Sequence, residues 1–186
     1  MTAAQGGLQV RRTILNTGQI RHTVERLAAT IARDYCGKPL LLLAVLKGAL
    51  CFAVDLARAL GGRADGPSEI VMDYICLQRY GTRGSAGGPV RLAKDCAFSV
   101  SGAHVLVLDG IVDSGLTLEF LQTLLRQRGP ASLRSCALLD RPAGRQVEAS
   151  LDYVGEAVGD GFVIGYGLDY KELYRNLPYL AELREG

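Results

Sequence analysis

The 186-residue sequence has no tryptophan, only two histidines, and five cysteines without a CxxC pair. The cysteines are widely spaced and lie mostly in apolar stretches, so they predict small buried side chains and exclude a disulfide framework or a zinc site. We therefore expect a reducing compartment, the cytoplasm. The N-terminus lacks the apolar run of a signal peptide. The longest apolar stretch, residues 39–46, is too short to cross a membrane.

Charge is nearly balanced, because 21 Lys and Arg side chains face 19 Asp and Glu side chains, for a formal net charge of +2. A surplus this small does not favour a nucleic-acid partner. Hydrophobic residues make up 48% of the chain, which excludes general disorder. The 23 glycines exceed the usual share of about 7%. Such glycines usually lie in turns and in loops that approach a ligand closely.

Hydrophobic periodicity predicts alternating helices and strands. Ile20, Val24, Leu27 and Ile31 mark one face of a helix that ends near residues 37–39. The continuous apolar run 40–46 is typical of a strand that is covered on both faces. Further strands are predicted at residues 69–77, 104–108, 132–139, 152–154 and 162–166, and further helices at 49–60 and 116–128. This alternation predicts an α/β domain with a mainly parallel sheet.

Polar clusters follow three of the predicted strands, where ligands bind in open α/β sheets. They are Lys47-Gly48, the glycine-rich loop 78–89 and residues 109–117. In the third, VLVLDGIVDSGLTL, a buried strand runs through acids and Ser114-Gly115 into a helix, whose N-terminus suits a phosphate. Residues 113–115 are also compatible with a simple helix cap. The neighbouring acids favour a phosphorylated substrate that carries magnesium.

Other nucleotide and catalytic motifs are missing. No GxGxxG follows a strand and opens a helix, and no GxxxxGK[ST] is present, so the sequence excludes a dinucleotide fold and a Walker P-loop. The serines lack a nucleophile elbow, which argues against a hydrolase triad. His22 and His104 are not in metal-ligand spacing.

The segment VLVLDGIVDSGLTL resembles the phosphoribosyl-pyrophosphate motif of type I phosphoribosyltransferases, an apolar strand and acids followed by Asp-[Ser/Thr]-Gly and Thr. Three further segments resemble those of bacterial hypoxanthine-guanine phosphoribosyltransferases. LLLAVLKGAL is similar to the pyrophosphate loop, ALLDRPAGRQVEASLDYVG to the segment with the base-binding cation, and GFVIGYGLDYKELYRNLPYL to the purine-binding C-terminal stretch. The resemblance covers residues 14–183 in the family's order.

The resemblance implies a single phosphoribosyltransferase domain over residues 1–186, with a type I phosphoribosyltransferase fold. In this α/β fold a mainly parallel central sheet is flanked by helices, and the N- and C-terminal segments form a small hood. The implied purine-salvage reaction joins hypoxanthine, and guanine, to 5-phosphoribosyl 1-pyrophosphate and gives IMP, or GMP, and pyrophosphate. Mg2+ is the implied cofactor. The implied partners are these small molecules, without nucleic acid or membrane, and a homodimer or homotetramer is usual in the family.

The resemblance also implies roles for individual residues. Asp113 is the implied catalytic general base, facing N7 of the purine. The implied phosphoribosyl-pyrophosphate site comprises Lys47, Gly48, Asp109, Asp113, Ser114, Gly115, Leu116, Thr117 and Arg175. Purine binding is implied for Arg141, Phe162, Val163 and Asp169, magnesium binding for Asp109 and Asp169, and a closing lid for Arg79 and Tyr80. The peptide bond before the loop lysine tends to be cis in the family.

The sequence departs from the family pattern near the implied site. Gly110 replaces the second of two adjacent acids, Arg141 replaces a lysine, and Arg79 replaces the serine of a Ser-Tyr pair in the lid. Because the general base is retained, we expect an active enzyme. Gly110 and Arg79 favour the alternative, a weakly active or inactive paralogue that binds nucleotide as a sensor or assembly subunit.

Overall fold

The computed structural model of the protein describes residues 9–79 and 90–184. In these ranges the helices and strands are, in chain order, β1 (Gln9–Leu15), α1 (Thr17–Asp34), β2 (Pro39–Leu46), α2 (Leu50–Gly61), β3 (Glu69–Arg79), β4 (Val90–Lys94), β5 (His104–Val112), α3 (Leu116–Arg126), β6 (Ser132–Asp140), β7 (Tyr153–Ala157), β8 (Phe162–Ile164) and β9 (Leu180–Arg184). A short 3₁₀ turn, Pro142–Gly144, follows β6.

The main sheet has six strands in the order β4-β3-β2-β5-β6-β7. Strands β3, β2, β5, β6 and β7 run parallel, and only β4 is antiparallel, at the edge beside β3. The predicted mainly parallel α/β fold is therefore confirmed. Among the described residues, no helix combines the length and the apolar character that a membrane crossing needs.

Side chains of β2 alternate between two hydrophobic cores. Leu42 packs with α1 and α2 on one face of the sheet, whereas Leu43 packs with α3 on the other, and both are fully buried. Successive side chains of a strand point to opposite faces, so a strand covered on both sides must be apolar throughout. This explains the continuous apolar run that the sequence shows at residues 40–46.

A second, antiparallel sheet forms the hood, with β9 between β1 and β8. Leu180 of β9 and Val163 of β8 are buried against the core that α1 and α2 cover. The expected hood of N- and C-terminal segments is thus present. The periodicity alone predicted no strand in β1 or β9.

Element boundaries also differ from the periodicity-based prediction, above all in β5 and in the expected loop. Strand β5 continues past residue 108 to Val112, because its last residues still pair with β6. The segment expected as a long loop, residues 78–89, begins within β3, whose last residue Arg79 pairs with Val90 of β4. Tyr80 and the rest of the expected lid, residues 80–89, lie outside the described residues.

Asp73 anchors the connection between β4 and β5. This carboxylate is 8% exposed and accepts hydrogen bonds from the backbone N–H groups of Tyr74, Ala97 and Phe98 at 2.7, 2.6 and 2.9 Å. Burial by itself raises the pKa of Asp73, but the three donors outweigh it, and the net effect is a lowered pKa. Asp73 is therefore charged at neutral pH and ties the connection to the sheet.

We predict that Asp73→Ala lowers the free energy of unfolding by about 1.5–3 kcal/mol, because buried donors lose a charged acceptor. The matched control is Asp65→Ala, which removes a carboxylate that is 55% exposed and paired with Arg63, and it should cost less than about 1 kcal/mol. Urea unfolding at several pH values measures both. Because the folded pKa is lowered, the Asp73 contribution should be complete above the ordinary aspartate pKa and disappear as the pH falls below it. Equal effects of the two substitutions at pH 7 would contradict the assignment.

Candidate active site

Polar residues meet where the parallel strands β2, β5 and β6 end. Lys47, Asp113 and Arg141 each directly follow one of these strands. In the register of β5 and β6, Val112 pairs with Asp140, so Asp113 and Arg141 leave the sheet side by side. Arg141 Nη1 lies 3.2 Å from Asp113 Oδ2. The edge therefore presents a carboxylate and a guanidinium next to each other.

Arg141 is held by the loop that precedes β8. Its Nε donates to the Gly159 carbonyl at 3.1 Å, and its Nη2 donates to the Gly161 carbonyl at 2.5 Å. The Arg141 side chain is 12% exposed, whereas that of Asp113 is 49% exposed. The planar, many-donor guanidinium is thus fixed on two sides, and its third side faces the carboxylate.

An aromatic side chain adjoins this pair. Phe162 begins β8 directly after Gly161, is exposed, and lies edge-to-face with Tyr170 at a ring-centroid distance of 5.4 Å. An open cavity of about 680 Å³ is lined by Arg141 and Phe162, among others. Val163, the next residue, is buried. This arrangement offers a flat apolar surface beside hydrogen-bonding groups, which suits a planar heterocycle.

The N-terminus of α3 opens at the same edge. Its N-cap residue is Gly115, in the left-handed conformation with φ 82°. This N-cap residue therefore has no side chain that could accept a hydrogen bond from the backbone N–H groups of the first turn. The preceding loop is fixed from outside, because Arg145 Nη1 donates to the Asp113 carbonyl at 2.7 Å and the Gln146 amide donates to the Ser114 carbonyl at 2.9 Å. The backbone N–H groups at a helix N-terminus point outward along the helix axis, and together with the helix dipole they favour an anion here.

A cluster of charges joins the Lys47 turn to the segment after β8. Glu172 Oε2 accepts from Lys47 Nζ at 2.8 Å and lies 3.4 Å from Arg175 Nη2. Arg175 also pairs with Asp169 at 2.7 Å. The hydrogen bond from Lys47, followed by the charge of Arg175, lowers the pKa of Glu172. The peptide bond Leu46–Lys47 is cis, as the resemblance implied.

Gly110 is in close contact with the Lys47 turn. A Cβ atom at this buried position would lie 2.7 Å from the Gly48 carbonyl oxygen and 3.0 Å from Leu168 Cδ2. The turn and the strand end could not approach this closely if residue 110 had a side chain. The missing second acid therefore coincides with a backbone contact that only glycine allows.

The edge collects most of the residues implied by the resemblance. Lys47, Gly48, Asp109, Asp113 and the first turn of α3 lie at the ends of β2 and β5. Of the implied lid, Arg79 ends β3 and Tyr80 lies outside the described residues.

Sequence reasoning missed two partners at this edge, Glu172 and Arg145. The available signals were their spacings. Glu172 stands midway between Asp169 and Arg175, and Arg145 follows Arg141 by four residues.

No group of three or more His, Cys, Asp or Glu side chains is placed to hold a metal within residues 9–79 and 90–184. Asp109 and Asp169 therefore belong to no such group of three. Asp169 uses one oxygen for Arg175 and accepts the Glu172 amide with the other at 2.9 Å. An ion that supplies most of its own coordination shell, from water and a ligand's phosphates, fits such a site better than one that needs a protein cage.

Residues 11–171 match the model of the phosphoribosyl transferase domain family. The chain is 38% identical to a hypoxanthine-guanine phosphoribosyltransferase of Bacillus subtilis over 94% of each protein. It is 39% identical to the bifunctional protein TilS/HprT of Listeria monocytogenes, but it spans only 26% of that relative's length. A crystal structure of a Bacillus anthracis hypoxanthine-guanine phosphoribosyltransferase superposes with a TM-score of 0.85 at 36% identity, over 96% of this chain and 100% of the other.

The Gly110 contact makes a testable prediction. Gly110→Ala should lower the free energy of unfolding by about 1–3 kcal/mol, because the added methyl group overpacks the contact with Gly48. Gly61→Ala is the matched control, since a Cβ at the end of α2 meets nothing within 4 Å, and it should be neutral or stabilise by up to about 1 kcal/mol. Urea denaturation of the two variants compares them. A fully stable Gly110→Ala protein would show that the strand end and the turn can separate at little cost.

Proposed function

Because the chain belongs to the phosphoribosyl transferase domain family, we propose that it is a hypoxanthine-guanine phosphoribosyltransferase of purine salvage. The enzyme joins N9 of a 6-oxopurine to C1 of 5-phosphoribosyl 1-pyrophosphate. The C1–O bond to pyrophosphate breaks as the C1–N9 bond forms. The products are IMP or GMP and pyrophosphate.

The observation that carries the proposal is the Asp113–Arg141 pair. A 6-oxopurine presents O6 and N7 as neighbours on one edge. Arg141 offers a donor and Asp113 offers an acceptor, 3.2 Å apart and also on one edge. Arg141 can therefore donate to O6 while Asp113 accepts the proton of N7. The same two groups that pair with each other in this structure are complementary to the base.

The remaining base contacts lie beside this pair. Phe162 would stack on the purine ring, and the backbone at Val163 would read its far edge. The two carbonyls that hold Arg141 belong to Gly159 and Gly161, just before Phe162. The loop of residues 159–162 therefore positions both Arg141 and Phe162, the two side chains that would contact the base.

The phosphate groups are assigned to two places. The first turn of α3, with Ser114 and Thr117, would bind the 5′-phosphate. Lys47, Gly48 and Arg175 would bind pyrophosphate. Glu172 now lies between Lys47 and Arg175, where a pyrophosphate oxygen could replace its carboxylate. Lys47 and Arg175 would thus already lie close together at the proposed pyrophosphate position before the substrate binds.

In the proposed mechanism Asp113 takes the N7 proton as C1 gains oxocarbenium character. Lys47 and Arg175 stabilise the negative charge that develops on the departing pyrophosphate. Closure of the segment that includes Arg79 and Tyr80 would exclude water from the activated ribose. The assignment of a lid remains a hypothesis from the resemblance.

Magnesium is the proposed cofactor. Mg2+ is held in many phosphate-transfer sites by one or two carboxylates together with substrate phosphates and water, and the carboxylates of Asp109 and Asp169 fit that pattern. Bound there, the ion would neutralise the pyrophosphate charge.

We also propose a cytoplasmic protein that forms a homodimer or homotetramer. All five cysteines are free thiols, as in a reducing compartment. Met72 and Tyr74, two residues apart on β3, are each more than 40% exposed. An apolar strand surface of this kind is compatible with burial against a second copy.

The first test of the function is a steady-state assay for pyrophosphate release with hypoxanthine and guanine. Asp113→Asn should lower kcat by about 10²–10⁴-fold, because a positioned general base contributes that much. Its affinity for phosphoribosyl pyrophosphate should change little, since the amide keeps the size of the side chain. Asp65→Asn, on the surface, is the control. Full turnover by Asp113→Asn would refute its role, and a wild-type protein that binds nucleotide without turnover would support the paralogue alternative.

The second test concerns the stacking ring. Phe162→Ala should raise the KM for the purine by about 5- to 150-fold, since stacking on an aromatic side chain contributes about 1–3 kcal/mol per base. The KM for phosphoribosyl pyrophosphate should stay within about twofold. Phe98→Ala is the matched control, because Phe98 is also an exposed phenylalanine, 54% against 41% for Phe162, but lies near the other end of the sheet. Equal purine KM values for the two variants would exclude stacking on Phe162.

A further inference from the structure

Glu182 is a buried carboxylate in the middle of the hood sheet. It lies on the central strand β9, opposite Arg12 of β1 and Val163 of β8. Its side chain is only 5% exposed. Glutamate is almost never buried to this degree unless it is paired. Its position in the sheet therefore depends on specific partners.

A β-bulge supplies two of these partners. The pairing of β1 with β9 shifts by one residue between Val10 and Arg12, so Arg11 and Arg12 share Glu182 as their opposite residue. A bulge redirects a side chain in this way. Arg11 Nη1 and Arg12 Nε each lie 2.7 Å from a different oxygen of Glu182. The hydrogen bonds from Arg12 and Arg11 lower the pKa of Glu182, which is therefore an anion at neutral pH.

The carboxylate rests on the main chain at Gly161. A Cβ atom on Gly161 would lie 2.2 Å from both Cδ and Oε1 of Glu182, so any larger residue would displace one of the two segments. Around this contact lies a cavity of about 180 Å³, lined by Arg12, Gly159 and Gly161 among others. The close approach of Glu182 to Gly161 therefore limits where the main chain can lie at this point.

Gly161 also connects Glu182 to the base site. Its carbonyl accepts from Arg141 Nη2, and Arg141 in turn contacts Asp113. Phe162 and Val163 follow Gly161 directly. Any displacement of residue 161 would thus move the cation and the stacking ring together.

We propose that Glu182 is a positioning residue that sets affinity for the purine. The clamp of Arg11, Glu182 and Arg12 fixes the main chain at residues 161–163 relative to Arg141. This inference rests on the proposed function, because it takes Phe162 and Val163 as base contacts. The phosphate groups are assigned to α3 and to the Lys47 turn, so loss of the clamp should weaken binding of the base and leave phosphate binding intact.

The test compares two ligands that differ in the base. Calorimetry measures the binding of GMP and of ribose 5-phosphate to wild type, Glu182→Gln, Arg12→Gln and Glu156→Gln. In Glu182→Gln, GMP should bind about 10- to 150-fold more weakly, the range for loss of a charged hydrogen bond, and ribose 5-phosphate should change by less than about twofold. In the assay, the KM for guanine should rise while the KM for phosphoribosyl pyrophosphate stays constant. Glu156→Gln is the charge-matched control, because Glu156 contacts Thr23 and Arg26 of α1 instead, and it should bind both ligands normally.

Arg12→Gln removes one of the two arginines that pair with Glu182. Because the Arg12 side chain is 67% exposed, this variant should fold and tests the proposal if Glu182→Gln does not fold. It should shift GMP affinity in the same direction by a smaller factor. Unchanged GMP affinity in the folded variant, or equal weakening of both ligands, would overturn the inference. Failure of the wild-type protein to bind GMP would instead refute the proposed function.

Discussion

The register between β5 and β6 determines the geometry of the candidate site. Val112 pairs with Asp140, and therefore Asp113 and Arg141 leave adjacent strands at the same level. Successive side chains of a strand alternate between the two faces of the sheet. A shift of β6 by one residue relative to β5 would therefore move each β6 side chain from one hydrophobic core to the other. The hydrophobic pattern of β5 and β6 thus fixes not only the fold but also the separation of the acid from the cation.

Charge at the site is internally balanced. Each of four carboxylates around the edge is paired with a cation, namely Asp113 with Arg141, Asp140 with Arg145, Asp169 with Arg175, and Glu172 with Lys47. The last pair is about two-thirds exposed on both sides, and such exposed pairs contribute little to stability. In the proposed function, an incoming phosphate would therefore replace Glu172 at small cost. The Asp113 pair differs, because Arg141 is nearly buried and anchored by two carbonyls.

Local sequence patterns predicted the helices and strands in which buried apolar residues recur at regular spacing. The run 40–46 identified β2, and the spacing of Ile20 to Ile31 identified α1. They did not predict β1, β4 or β9, which are short edge or hood strands without a continuous apolar run. The motifs singled out candidate site residues, whereas no motif pointed to Glu172 or Glu182. Their partners, Lys47 and Arg12, lie 125 and 170 residues away in the chain, and no local pattern encodes such pairings.

Gly110 connects the packing of the site to the magnesium binding proposed for it. Since the Gly48 carbonyl occupies the space that a Cβ at residue 110 would need, an acid there would push the Lys47 turn away from the strand end. The chain thus has a close contact where the family pattern has a second carboxylate. Mg2+ readily keeps water in its shell, so the proposed site, with Asp109 and Asp169, would not need a carboxylate at residue 110. The departure from the family pattern is then consistent with an active enzyme whose pyrophosphate turn is held by packing against β5.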